Sequence, residues 1–195
     1  MSQPPPGDPT QPPAPAPAAD DVELLLPADE IEREVLALGR RLHGELGDTD
    51  PLFLTLLGGS VIFLADLVRA YPAPVRFEFV HVGYHHPEVT AAEVLEIHYP
   101  IPVDLAGQHL LVVKDVVTSG VTETYLAEQL GDRGAASVRV VALIDMPEER
   151  KTDLAVDYRA FALERSGSLV GYGLKHHGRF GNLPHIGRYV GSEPP

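Results

Sequence analysis

The stretch from Leu110 to Thr122, Leu-Leu-Val-Val-Lys-Asp-Val-Val-Thr-Ser-Gly-Val-Thr, constrains this chain more than any other. Leu110 to Val113 form an apolar run without alternation, which reads as a strand buried on both faces. Lys114-Asp115 then brings in charge. Thr118-Ser119-Gly120-Val121-Thr122 turns the chain into a helical pattern from Glu123 to Leu130. A strand that ends in a small hydroxyl-and-glycine turn and opens a helix makes a phosphate cradle. Backbone N–H groups, hydroxyls and the positive end of the helix dipole converge there. The same turn also suits an ordinary strand-to-helix loop.

The flanking chain predicts the scaffold. Pro27 to Leu46 reads as a helix that Asp29 can cap, with Ile31, Val35, Leu38 and Leu42 at helical spacing. Leu52 to Leu57 reads as a buried strand, Gly58-Gly59-Ser60 as a turn, and Val61 to Ala70 as a helix ended by Pro72 and Pro74. Phe77 to Val82 is a predicted strand and Gly83 to Ala92 a loop. Glu93 to Ile97, near Pro100 and Pro102, is a predicted edge strand or hairpin arm. A helix from Thr122 to Arg133 should stop at Gly134. Strands follow at Val138 to Ile144, Tyr158 to Leu163 and Leu169 to Gly173, with loop from His176. Strands alternating with helices predict an α/β fold, its sheet parallel and covered on both faces. Met1 to Ala19, rich in Pro, Ala and Gln, has almost nothing to bury and predicts a disordered or polyproline tail. We therefore divide the chain into a tail, 1–22, and one domain, 23–195.

Composition excludes several classes. There is no Cys, so disulfide, thiolate and Cys-ligated zinc chemistry are absent. A formal charge of -13 argues against nucleic-acid or anionic-membrane partners. No apolar run approaches the roughly 20 residues of a membrane span. The N-terminus lacks the basic and apolar regions of a secretory signal, so the cytoplasm is the expected location. Nine histidines include the pairs His85-His86 and His176-His177, but their spacing matches no zinc pattern, and no metal site is expected from them.

Lys114 to Thr122 resembles the phosphoribosyl pyrophosphate motif of type I phosphoribosyltransferases. The chain from about Leu26 to Val190 is similar, more narrowly, to the hypoxanthine-guanine phosphoribosyltransferase family. Leu52 to Arg69, Val170-Gly171-Tyr172-Gly173-Leu174 and Asn182-Leu183-Pro184-His185-Ile186-Gly187 carry this resemblance. It implies a mostly parallel twisted sheet flanked by helices, with a small C-terminal hood, and a homo-oligomer (dimer or tetramer). Thr118, Ser119, Gly120, Val121 and Thr122 would bind phosphate. Lys114, Asp115, Leu57, Gly58 and Gly59 would face ribose and pyrophosphate. Met146, Ser168, Leu169 and Lys175 would line the base pocket.

At these positions the residue types depart from the family's. Of its two acids that hold the ribose diol and organise magnesium, one is Lys114, leaving Asp115 as the candidate catalytic group. The acid/base that faces the purine is Thr118, whose hydroxyl does not titrate near neutral pH. The lysine that reads the purine is Met146, which cannot donate a hydrogen bond. The stacking aromatic falls near Ser168, the metal-contacting carboxylate at Lys175, the pyrophosphate arginine at Gly181 and the first-loop lysine at Leu57. The Ser-Tyr of the family's mobile lid falls at Tyr84-His85. The resemblance thus implies a divergent member that binds a small phosphorylated ligand, a nucleotide or a phosphoribosyl group, at Thr118–Thr122, with ordinary purine salvage lost. One alternative is an active phosphoribosyltransferase acting on a purine or an unusual base. Another is a structural or interaction module. No cofactor is expected, and Mg2+ only if the chain is an active transferase.

Overall fold

In the computed structural model, residues 21–85, 94–98, 104–164 and 167–191 are described. Chain order is β1 (Val22–Leu26), α1 (Ala28–Leu46), β2 (Leu52–Leu56), α2 (Ser60–Ala70), β3 (Arg76–His85), β4 (Val94–His98), β5 (His109–Val117), α3 (Val121–Asp132), β6 (Ser137–Asp145), β7 (Tyr158–Ala162), β8 (Leu169–Val170) and β9 (Ile186–Tyr189). Single 3-10 turns follow α1 and β6.

A six-stranded sheet runs β4-β3-β2-β5-β6-β7. β2, β3, β5, β6 and β7 are parallel, and β4 joins β3 antiparallel at the edge. A separate antiparallel sheet, β1-β9-β8, makes the hood. This is the mostly parallel sheet with a small hood that the resemblance implies.

The two faces of β5 belong to two cores, as the unbroken apolar run predicts. Leu111 and Val113 pack with Phe53, Phe63, Leu42 and Leu143 on the α1/α2 side. Leu110 and Val112 pack with Leu54, Leu126 and Leu130 on the α3 side. Leu126 and Leu130 are fully buried, each worth about 1.5–3 kcal/mol relative to exposure.

Several boundaries differ from expectation. Pro27, not Asp29, is the N-cap of α1, and no side chain caps it. Asp29 lies inside the first turn, where its charge still favours the dipole. β3 runs to His85, past Val82, because antiparallel pairing with β4 satisfies its backbone. Residues 86–92 of the predicted loop, and Glu93 of the predicted edge strand, lie outside the described residues. α3 starts at Val121, one residue before Thr122. The segment after His176 contains β9, which pairs with β1. The tail boundary at 22 falls on the first residue of β1, and residues 1–20 lie outside the described residues.

Candidate active site

β5 continues through Lys114 and Asp115 to Val117. Successive strand residues point to opposite faces, so the two side chains leave the strand on opposite sides, although the Lys114 ammonium comes back to within 3.7 Å of Asp115. Asp115 goes to the α2 side. Its N–H donates to Ser60 Oγ at 3.2 Å, and its Oδ1 accepts from the Val116 N–H at 2.9 Å. Its Oδ2 lies so close to the Gly59 backbone that no Cβ at residue 59 could coexist with it.

Lys114 goes to the α3 side. Its Nζ is 3.6 Å from Glu123 Oε1 and 3.7 Å from Asp115 Oδ1. The Lys114 and Glu123 side chains are only 18% and 6% exposed. An ammonium thus sits between two carboxylates at the end of the central strand.

The Thr118–Thr122 turn follows directly. Gly120 is the N-cap of α3 at φ 77, left-handed and without a side chain of its own, and the Ser119 hydroxyl just before it accepts from the Val121 N–H at 3.4 Å. A Cβ there would lie 2.7 Å from Thr152 Oγ1 and 2.8 Å from Arg150 Cδ. The Thr124 N–H is the first in the helix to reach a carbonyl, Gly120 O at 2.9 Å. The amides of residues 121–123 precede it and form the donor end of the dipole. The turn is held from behind by the chain after β6: Met146 N–H donates to Val117 O and Lys151 N–H to Ser119 O, both at 2.9 Å. Thr118 and Val121 are exposed, Ser119 and Thr122 half-buried.

Beneath the turn lies a second charge cluster. Asp145, 3% exposed, pairs with Arg150 Nη2 and, at 3.0 Å, with Arg159 Nη1. Two guanidinium groups on one carboxylate leave a net positive charge behind the cradle. Arg150 Nη1 is buried with no hydrogen-bond partner among the described residues.

The hood closes the other side. Gly173 N–H donates to Gly181 O at 2.9 Å and Tyr172 N–H to Leu183 O at 2.8 Å. The Tyr172 hydroxyl donates to Asp66 Oδ2 at 2.6 Å, and burial, then Asp66, pushes its pKa well up. Gly173 O lies 3.1 Å from the position of a Cβ at residue 59 and 3.4 Å from one at residue 181. Asp115, Gly59, Gly173 and Gly181 therefore form one seam. Lys175, exposed, lays its stem over Gly181, with Cγ and Cε at 3.0 and 3.2 Å from where a Cβ would be.

The fold thus brings together Lys114, Asp115, Gly58, Gly59 and the 118–122 turn, and places Lys175 at the hood end of the seam. Leu57 is half exposed at the rim. Met146 stands at the end of β6 but is 3% exposed, packed into the α1/α2-side core. Ser168 and Leu169 lie in the β8–β9 hairpin. Ser168 Oγ is 2.9 Å from His176 Nδ1, Leu169 registers with Arg188, and the His176 ring stacks on Tyr189 at 4.2 Å. A groove of about 580 Å³ between α1, α2 and residues 181–184 contains no cradle residue.

Ser60, Glu123, Arg150 and Asp145 were not anticipated. Only Glu123 left a signal. It shares the spacing of Leu126 and Leu130, so a charged side chain stands on the buried stripe of α3.

The donor set does not fit a divalent cation. Asp115 has an ammonium 3.7 Å away, and the opposite end of the seam carries Lys175.

The phosphoribosyl transferase domain family matches residues 21–177. The hypoxanthine-guanine phosphoribosyltransferase of Bacillus subtilis is 35% identical over 169 residues, covering 86% of this chain and 93% of that protein. The chain belongs to this family. The enzyme of the same name from Mycobacterium avium is 34% identical over 174 residues, covering 86% of this chain and 85% of its own. Among solved structures, a Staphylococcus aureus hypoxanthine phosphoribosyltransferase superposes with TM-score 0.79 at 26% identity, covering 87% of this chain and 92% of that one. No helix among the described residues is long and apolar enough to cross a membrane.

Proposed function

We propose that this phosphoribosyltransferase-family chain moves a phosphoribosyl group from phosphoribosyl pyrophosphate to a nitrogenous base, a purine or an unusual relative. The observation that carries the reading is the end of β5. Asp115 is braced by Ser60 and Gly59 to accept from a ribose diol, and the open N-terminus of α3 stands five residues away to take the 5′-phosphate. Relatives named hypoxanthine-guanine phosphoribosyltransferase support transfer over binding alone. Asp115 orients the ribose, the amides of residues 121–123 and the Ser119 and Thr122 hydroxyls hold the phosphate, and Thr118 faces the mouth without offering an acid or base. An acceptor whose ring nitrogen is already deprotonated near neutral pH needs no proton relay from residue 118.

A second reading, binding of a phosphoribosyl ligand without transfer, is favoured by Met146, an apolar and buried side chain at the position where the resemblance places the purine-reading lysine. Incubating the purified chain with phosphoribosyl pyrophosphate and a panel of bases separates them. Nucleotide formation with at least one base, at about 1 s⁻¹ or more, is the expected result. Binding without nucleotide across the panel leaves the second reading.

A further inference from the structure

We propose that the ammonium groups of Lys114 and Lys175 stand in for divalent cations, so that this site takes its phosphoribosyl ligand without metal. The inference rests on the phosphoribosyl reading above and specifies how that site meets the ligand's charge.

Lys114 Nζ lies 3.6 Å from Glu123 and 3.7 Å from Asp115. Neither distance is a hydrogen bond, so the pairing fixes the ammonium in place while its three N–H donors stay available. Glu123, 5% exposed in the first turn of α3, is the positioning residue. It ties the cation to the helix whose amides form the cradle. A divalent ion on Asp115 would stand within a few ångströms of this ammonium in a poorly solvated site, where like charges are weakly screened. Asp115 is therefore left for the ribose diol, and the positive charge comes from the protein.

The second cation stands across the seam. Residue 181 has no side chain, and the stem of Lys175 covers its Cα. A lysine from the neighbouring strand of chain so fills the space that a side chain at 181 would take. Arg150 and Arg159, which share Asp145 as their carboxylate among the described residues, add positive charge behind Gly120. Positive groups thus border the path from the cradle to the hood.

The test is calorimetric titration of the full chain with phosphoribosyl pyrophosphate, once with chelator and once with saturating magnesium. Wild type should bind in both, with dissociation constants within about twofold. Lys175→Gln, at an exposed position and with most of the stem over Gly181 kept, should weaken binding about threefold to tenfold in both conditions, and Lys114→Gln should weaken it about tenfold or more. The pair Lys114→Glu with Glu123→Leu, which replaces the tethered cation by a second carboxylate beside Asp115 and removes the Glu123 charge, should bind only when magnesium is present to offset the two acids. Wild-type binding that needs magnesium, or wild-type affinity in both Lys114→Gln and Lys175→Gln, overturns the inference and leaves the phosphoribosyl reading intact. No binding in either condition removes that reading and the inference with it.

Discussion

Asp115 and Lys114 are neighbours in the chain, yet the fold holds them by different means. On the α2 side, Asp115 is fixed by close approach: a hydroxyl on its N–H, and the bare backbones of Gly59 and Gly173 stacked beyond it. On the α3 side, Lys114 is fixed by charge, facing a buried Glu123. Contacts of the first kind tolerate no added atoms, because interiors are packed without spare volume. Contacts of the second kind can be exchanged in pairs, since a buried ion pair is often no better than two apolar groups of similar size. The comparison explains why Asp115, Gly59 and Gly173 keep the family's residue types while Lys114 does not.

The sharpest break is Gly173→Ala. The new Cβ would collide with the Gly59 carbonyl, and φ 96 is a conformation that alanine rarely adopts. Backbone strain and the forced shift together should cost about 3 kcal/mol or more, read as a fall in the urea midpoint. Gly181→Ala, whose Cβ meets mainly the flexible Lys175 stem, should cost less than about 1 kcal/mol. Equal losses would mean that the seam is not rigid.

Thr118→Asp adds an acid at the exposed mouth between the two sides, without touching either. It should raise the transfer rate for a base that must lose a proton by about 10², equal to roughly 2.7 kcal/mol of barrier, with little change in melting temperature. An unchanged rate with a bound base would show that proton transfer does not limit the reaction.

Lys114→Met should destabilise the fold by about 2 kcal/mol, because it leaves Glu123 charged and buried. Adding Glu123→Leu should restore most of that stability, and a double-mutant cycle measures the coupling. If the second change deepens the loss, the α3 side is held by shape as well.

The sequence makes one side of this comparison far more legible than the other. The unbroken run Leu110–Val113 told of a strand between two cores, and Gly120 of a turn into a helix, because both are local patterns. Gly120 nonetheless does more than bring backbone near a phosphate. Its missing Cβ makes room for Arg150 and Thr152, which arrive from the chain after β6. That Ser60 braces Asp115 has no local signature, since 55 residues separate them. β1 and β9 were missed for a related reason. β9 is four residues with a glycine, β1 carries Glu23 and an exposed Leu24, and the two pair across nearly the whole chain, with β8 on the other side of β9. Met146 is apolar and belongs to the core, a reading its residue type allowed but the family alignment drew toward the pocket.

The smallest expected effect lies where the hood grips α2. The buried Tyr172 hydroxyl donates to Asp66, which also pairs with the exposed Arg69. Because Asp66 is partly solvated, Tyr172→Phe should cost only about 1 kcal/mol near neutral pH. Its clearer mark is on the alkaline limb of stability. Burial, then the Asp66 hydrogen bond, raises the Tyr172 pKa above that of an unfolded tyrosine, so the folded state favours the neutral phenol. That contribution is fully present below about pH 10 and is lost as the pH climbs above it, because the unfolded chain ionises first. Wild type should therefore lose stability steeply above that pH, and Tyr172→Phe should lose it less steeply. The slope left in the variant belongs to Tyr71 and Tyr158, whose pKa values burial also raises. Urea unfolding across the alkaline range measures both slopes. Identical slopes would mean that Tyr172 opens to solvent in the native state, and that the seam is closed by its glycines alone.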